Sequence, residues 1–411
     1  MNNGLFKRCH INSNYDGDKF VGIKKDENLY QISFPLGFRL SENEKEVRRD
    51  IILLMNILAK FMNSKEYEFY NGNNIKRYTD LPIQAYLYVI KDYFERGIYE
   101  EREVYYHVAN RGKIDWKKTI KVQRPVIQDG DIFYLDYIVK KNTINENELI
   151  TIVHQYCVNE SFEKFGWLFT SYVPPKPKIG LTRKMMLSIV NNKLQDTFND
   201  RNRQLFKNLL SILRVDDNNT NCEFNYGTYN FEYIWEKMID NVFGISGKEE
   251  YFPKTTWYLL NNKDFDNSVL QPDTIMIYQD KIYVLDAKYY KYGETANPYD
   301  FPKSSSINKQ ITYGEYIAKG KKFEIDGKKP IVYNAFIIPY NAYANKFYTC
   351  DNMSVIGIAK SSWKYGKKEY ENIVGILLDV KHLMKINERL NFNEIKNLAK
   401  LIEQTIERYK V

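Results

Sequence analysis

Asp273, Asp286 and Lys288 are the residues of this 411-residue chain whose types and spacing could do chemistry. All three lie in the stretch 270–290, LQPDTIMIYQDKIYVLDAKYY. Two carboxylates and an ammonium converging on one buried spot are costly, because each charge loses its water. A divalent cation between the carboxylates reverses that cost. Oxygen-rich sites of this kind suit Mg²⁺, which keeps waters and substrate phosphate oxygens in its shell. The bland alternative is a solvated hairpin end carrying an ordinary Asp–Lys surface pair, worth little energetically.

Such a site needs two strand ends side by side. Residues 274–278 and 281–285 are β-branched or aromatic at most positions, and Gln279-Asp280 supplies a polar break, so the spacing predicts a hairpin. Asp273 opens its first strand, while Asp286 and Lys288 close the second. Side-chain alternation sets those last two on one face and turns Ala287 into the packing. Pro272-Asp273 followed by Asp286-Ala287-Lys288 resembles the signature of the PD-(D/E)xK nuclease superfamily. The resemblance implies that Asp273 and Asp286, helped by the Ala287 carbonyl, hold one or two Mg²⁺ ions that activate water. Lys288 would orient or deprotonate that water, or place positive charge on the phosphorane-like state.

Composition is permissive. Hydrophobic residues at 44% and charged residues at 27% fit a globular protein long enough for two or three domains. Net charge is +8, from 60 Lys and Arg against 52 Asp and Glu, which is compatible with a polyanion partner. The 35 tyrosines, many close to lysine or arginine, suit base stacking and phosphate pairing, or reflect compositional bias alone. No apolar run is long enough to span a bilayer and the amino terminus lacks a signal-peptide core. Cys9, Cys157, Cys222 and Cys350 are scattered, so neither a zinc site nor a disulfide framework is indicated. A reduced, cytoplasmic protein without membrane association is expected.

Taken in order, residues 20–24 and 29–34 read as strands, with Asp26-Glu27-Asn28 as their turn. Ser41-x-x-Glu44 is a capping box opening a helix, and a second helix follows Leu81 with Pro82 in its first turn. Residues 103–108 and 113–121 read as strands, and Asp129-Gly130 turns a hairpin. The basic, aromatic stretch 112–119 is either a nucleic-acid or partner contact, or a core anchor (Trp116) with solvated lysines. Helical spacing returns over 146–169. Val173-Pro174-Pro175-Lys176-Pro177-Lys178 reads as a linker, with further helix over 181–213 and a break at 216–220. Beyond it come helix 230–242, strand 255–260, the hairpin, helix 306–319, three strands and a closing helix over 393–409.

Two helices bear on the hairpin. Glu232 and Glu236 are neighbours on the first, and PD-(D/E)xK enzymes bring a glutamate from such a helix to the metal; Glu236 is the better placed, Glu232 the second choice. On the second, Lys309-Gln310 and Tyr313 share a face. Gln310 there would orient a water or hold a DNA phosphate, or else simply pack.

Asp286-Ala287-Lys288-Tyr289-Tyr290, with the Ile-Trp-Glu helix before it and the Lys-Gln-x-x-Tyr helix after it, resembles the nuclease half of LlaJI-type restriction endonucleases. These in turn are similar to the McrC subunit of GTP-dependent McrBC systems. Residues 20–24, 34–38 and 112–119 also resemble the LlaJI type. The resemblance implies an α/β class, α+β overall. A PD-(D/E)xK domain with a mixed central sheet flanked by helices would occupy 221–411. A helical linker region at 176–220 and an α+β region at 1–175 for partner or DNA binding would precede it. It implies a Mg²⁺-dependent DNA endonuclease of a restriction-modification system acting on double-stranded DNA. An McrB-like AAA+ GTPase would be a separate chain, since no G-x-x-x-x-G-K-[ST] loop occurs and Gly247-Lys248 is followed by Glu249. Two rivals stand beside it: a stand-alone type II enzyme reading DNA with residues 1–215, and a non-catalytic DNA-binding or scaffold subunit on a nuclease fold.

Overall fold

A mixed five-stranded sheet carries the stretch singled out above. Its order is Thr274–Tyr278, Lys281–Ala287, Ile331–Tyr340, Ile373–Asp379, Met353–Ala359. The first pair is antiparallel, the next two junctions parallel and the last antiparallel. The computed structural model describes residues 5–26, 29–62, 82–100, 102–144, 148–178, 180–215, 224–260, 264–267, 269–324, 327–344, 347, 352–364, 366–387 and 391–409. The expected hairpin forms with Tyr278 opposite Lys281, and Gln279 takes the positive φ of 54° that a two-residue turn demands. Strand Ile331–Tyr340 is buried at all but its first residue, as a central parallel strand must be. Helices Phe231–Phe243, Ser304–Lys319 and Phe392–Tyr409 complete the expected mixed sheet flanked by helices.

A second sheet changes the expected division of the chain. Its order is Cys9–Ile11, Leu29–Phe34, Val21–Asp26, Phe224–Thr228. Residue 224 onward thus pairs with a strand some two hundred positions earlier, and Gly22 lies opposite Gly227. A Cβ at Gly22 would stand 2.1 Å from the Tyr226 carbonyl, so the close strand approach requires glycine there. One compact unit therefore comprises 1–79 and 222–411, and the other 80–221. The boundary expected after 175 is replaced by two crossings, one on each side of an inserted unit. Long-range strand pairing leaves no compositional trace, which is why the linker-like Pro-rich run misleads. That run is tied down inside the second unit, where the buried Asn159 amide donates to the Pro174 carbonyl at 2.8 Å.

The first helix, Glu44–Met62, is capped by Asn43, which accepts from the Glu46 N–H at 2.9 Å. Ser41 has other work: its hydroxyl accepts from the buried Lys381 ammonium at 2.7 Å, beside the Lys381–Asp50 ion pair. Removing either partner of such a pair strands the other charge in the core.

The second unit is built on helices Ile83–Arg96, Leu149–Phe165, Arg183–Gln195 and Asp200–Leu213, with a sheet ordered Arg102–Ala109, Tyr137–Ile144, Lys113–Ile114. The strand expected over 113–121 stops after Ile114. Asp115 accepts from the Lys118 N–H and opens a helix, Trp116–Val122, so a local cap overrides β-propensity. Trp116 is 53% exposed and not a core anchor. The helix expected over 181–213 is two, parted where Asn199 caps the second. The turn residues Glu27-Asn28, the break at 216–220, and Leu81 lie outside the described residues. Among the described residues no helix is long and apolar enough to cross a membrane.

Candidate active site

The hairpin brings its two acidic ends together by backbone as well as by charge. Asp273 precedes Thr274, which pairs with Leu285, and its carboxylate accepts from the Ala287 N–H at 2.8 Å. Ala287 is buried, while the buried Asp286 carboxylate pairs with the half-buried Lys288 ammonium. The Lys288 N–H donates to the Ile337 carbonyl at 2.9 Å, continuing the parallel register one step past the strand's end. These charges thus sit at the carboxyl end of a parallel strand, where open α/β sheets place their ligands.

The glutamate helix is fastened to the same point. Trp235, fully buried, donates its indole N–H at 3.3 Å to the Ile337 carbonyl that Lys288 also uses. The next residue, Glu236, is thereby held beside the hairpin carboxylates. Burial first, and then repulsion from Asp286, pushes the Glu236 carboxyl up to about 7. Burial, Asp286 and Glu236 likewise hold the Asp273 carboxyl well above the ordinary range. Burial works against the Lys288 charge, but Asp286 and Asp273 outweigh it and keep the ammonium charged. Glu232 takes no part in this coupling to Asp273 and Asp286. Its carboxyl is raised by burial and feels Lys19 instead. Glu232 also adds to the repulsion on Glu236.

Gln310 is buried, and its amide nitrogen donates at 2.8 Å to the Val284 carbonyl, two residues before Asp286. Buried Asn334, in register with Val284, donates back to the Gln310 carbonyl at 3.1 Å. Of the roles open to Gln310, packing is the one its amide nitrogen serves. Its neighbours on that helix, Lys309 and Tyr313, both feel Asp286 and Asp273.

Lys248 had no sequence signal beyond failing to complete a phosphate loop. Its ammonium donates to the Asp273 carbonyl at 2.5 Å and to the Asp240 carboxylate at 2.7 Å, clamping the backbone of Asp273 to the glutamate helix. Groups that orient metal ligands are worth about tenfold or more in affinity. Lys248→Met is therefore expected to weaken divalent-cation binding by about that factor while the melting temperature moves little, as calorimetric titration with Mg²⁺ would read.

Three carboxylates, Asp273, Asp286 and Glu236, gather around the Lys288 ammonium, and the raised acids show that the negative charge is under-compensated. Among the described residues no three His, Cys, Asp or Glu side chains already stand as a ligand set, Asp286 being turned onto Lys288 instead. The donor chemistry nonetheless fits a hard divalent cation: all-oxygen, anionic, and short of positive charge. With Lys288 beside it, such a centre can hold an anionic substrate and stabilise charge developing on it.

The model of the LlaJI restriction endonuclease family matches residues 20–373 of the chain. No curated protein matches. Among solved structures, the chain is similar to one titled a refined half-complex from a tetradecameric assembly of Thermococcus gammatolerans McrB AAA+ hexamers with bound McrC. That likeness has 17% sequence identity and a TM-score of 0.37 over 90% of this chain and 81% of the other.

Proposed function

The chain belongs to the LlaJI restriction endonuclease family, and on that footing we propose that it hydrolyses phosphodiester bonds of double-stranded DNA with Mg²⁺, as the McrC-like cleavage subunit of a restriction system. The observation that carries this is the convergence of Asp273, Asp286, Glu236 and Lys288 at one strand end, where burial and the neighbouring carboxylates raise the Asp273 and Glu236 carboxyls. One or two Mg²⁺ ions bound there would lower the pKa of water and neutralise charge at phosphorus. Asp273, Asp286 and Glu236, with the Ala287 carbonyl, are the residues that would hold them. Lys288, kept in its charged form, supports orientation of water and charge placement on the phosphate over proton abstraction.

Nucleotide hydrolysis falls to another chain, an McrB-like AAA+ GTPase, because this sequence has no phosphate loop of the P-loop kind. The unit 80–221 contributes none of the named site residues, which leaves it to engage that partner or DNA. The test is cleavage of plasmid DNA by the purified chain with Mg²⁺, with and without GTP and an McrB-like GTPase. Cutting only in the presence of both supports the McrC-like role. Cutting with Mg²⁺ alone supports a stand-alone type II enzyme. DNA binding with no cutting under any of these conditions, unaffected by metal, overturns the catalytic assignment in favour of a scaffold subunit.

A further inference from the structure

We propose that Lys309 binds the scissile phosphate beside the carboxylates, with Tyr313 as its positioning residue; this rests on the nuclease reading above. The two side chains stand one turn apart on helix Ser304–Lys319, at the spacing that makes them surface neighbours. They differ in setting. The Tyr313 ring is fully buried in the cluster that contains Ile275, Ile282 and Val284, so it is fixed against the hairpin itself. Its hydroxyl donates at 3.1 Å to the carbonyl of Gln271, two residues before Asp273. Lys309 is exposed, and its ammonium stands 5.5 Å from the Tyr313 ring centroid, within cation–π range.

The consequence is a lysine held in place by a neutral partner. Lys288 spends its charge on Asp286. Lys309 leans on the ring of a phenol that carries no charge, and its ammonium has three donor hydrogens to offer a ligand. Asp286 and Asp273 both act on it across the intervening space. A polyanion approaching a group of carboxylates is repelled unless positive charge stands at the rim. Lys309 is a solvent-facing cation at that rim, set against the buried Tyr313 ring. A phosphate seated beside the carboxylates would have a non-bridging oxygen for the Lys309 ammonium.

The test uses the full chain under whatever conditions support cutting by the unaltered protein, with Lys309→Gln, Lys309→Arg and Tyr313→Phe. Binding of a duplex oligonucleotide is measured in Ca²⁺ across a salt series, and single-turnover cleavage in Mg²⁺. Lys309→Gln is expected to lower the cleavage rate about tenfold and to shrink the slope of log affinity against log salt by about 0.9, the loss of one phosphate contact. Lys309→Arg keeps the slope. Tyr313→Phe keeps the slope and loses part of the rate, since the charge remains but the hydroxyl tie from its helix to Gln271 is gone. A protein in which Lys309→Gln cuts at the original rate with the original slope overturns the assignment. If the unaltered protein binds DNA but never cuts, the nuclease reading fails by itself, and the salt slope still decides whether Lys309 meets a phosphate.

Discussion

Asp273→Ala, Asp286→Ala and Lys288→Ala are each expected to reduce DNA cleavage by a factor on the order of 10²–10³ or more, the range for removing one preorganised group from a charge-stabilising site. Single-turnover assays on plasmid DNA read this directly, and circular dichroism checks that the fold survives. Undiminished cutting by any of the three would remove that residue from the site. Asp273 offers a second readout that a structural role would not give. Its carboxyl titrates well above its unfolded value, because burial, Asp286 and Glu236 all oppose its ionisation. A raised folded-state pKa means stability present at low pH and lost as pH rises through that value. Asp273→Asn removes the charge, so without metal it should melt higher than the original protein at pH 8 and no higher at pH 4. Loss of cleavage together with gain of stability marks a carboxylate kept for function at the expense of the fold.

Divalent-cation binding should strengthen steeply with pH. Glu236 has its carboxyl pushed to about 7 by burial and by Asp286, against 4.5 in the open chain. Bound metal requires the ionised form, so each ion taken up below that pH displaces a proton. Affinity then rises about tenfold per pH unit below 7 for the proton on Glu236, and the raised Asp273 carboxyl adds a second dependence. Stability follows the same linkage. The metal-free protein loses stability as pH rises from near 4.5 through 7, and metal restores it most at the alkaline end. Melting curves with and without Mg²⁺ at pH 5, 6, 7 and 8 measure both effects. Glu236→Gln should flatten the profile while leaving some binding through Asp273 and Asp286. A pH-independent metal effect in the original protein would take Glu236 out of the ligand set.

The division between sequence and tertiary structure runs along the range of the interactions involved. The site hairpin was legible because everything that makes it is local: period-two alternation, a two-residue polar turn, and charged residues at the strand ends. For the same reason the helices carrying Glu236 and Lys309 were legible to within a few residues, while the choice between Glu236 and Glu232 stayed open. Local cues also misled where a nearer one competed. Asn43 rather than Ser41 caps the first helix, and Asp115 turns an expected strand into a helix.

Contacts between residues far apart in the chain were another matter. The pairing of 224–228 with 21–26 draws the amino-terminal segment into the unit that holds the site, and the Tyr289 hydroxyl accepts from the Leu36 N–H at 2.8 Å beside it. Lys248 reaching the Asp273 carbonyl, and Tyr313 reaching Gln271, are of the same kind. Each is one hydrogen bond made possible by packing, and a single lysine or tyrosine looks identical in sequence whether or not it makes one. The residue types thus determined which chemistry was available and on which strand ends. Only folding decided how closely the acids are crowded, since their raised pKa values come from burial and mutual repulsion, which exist once the elements have met.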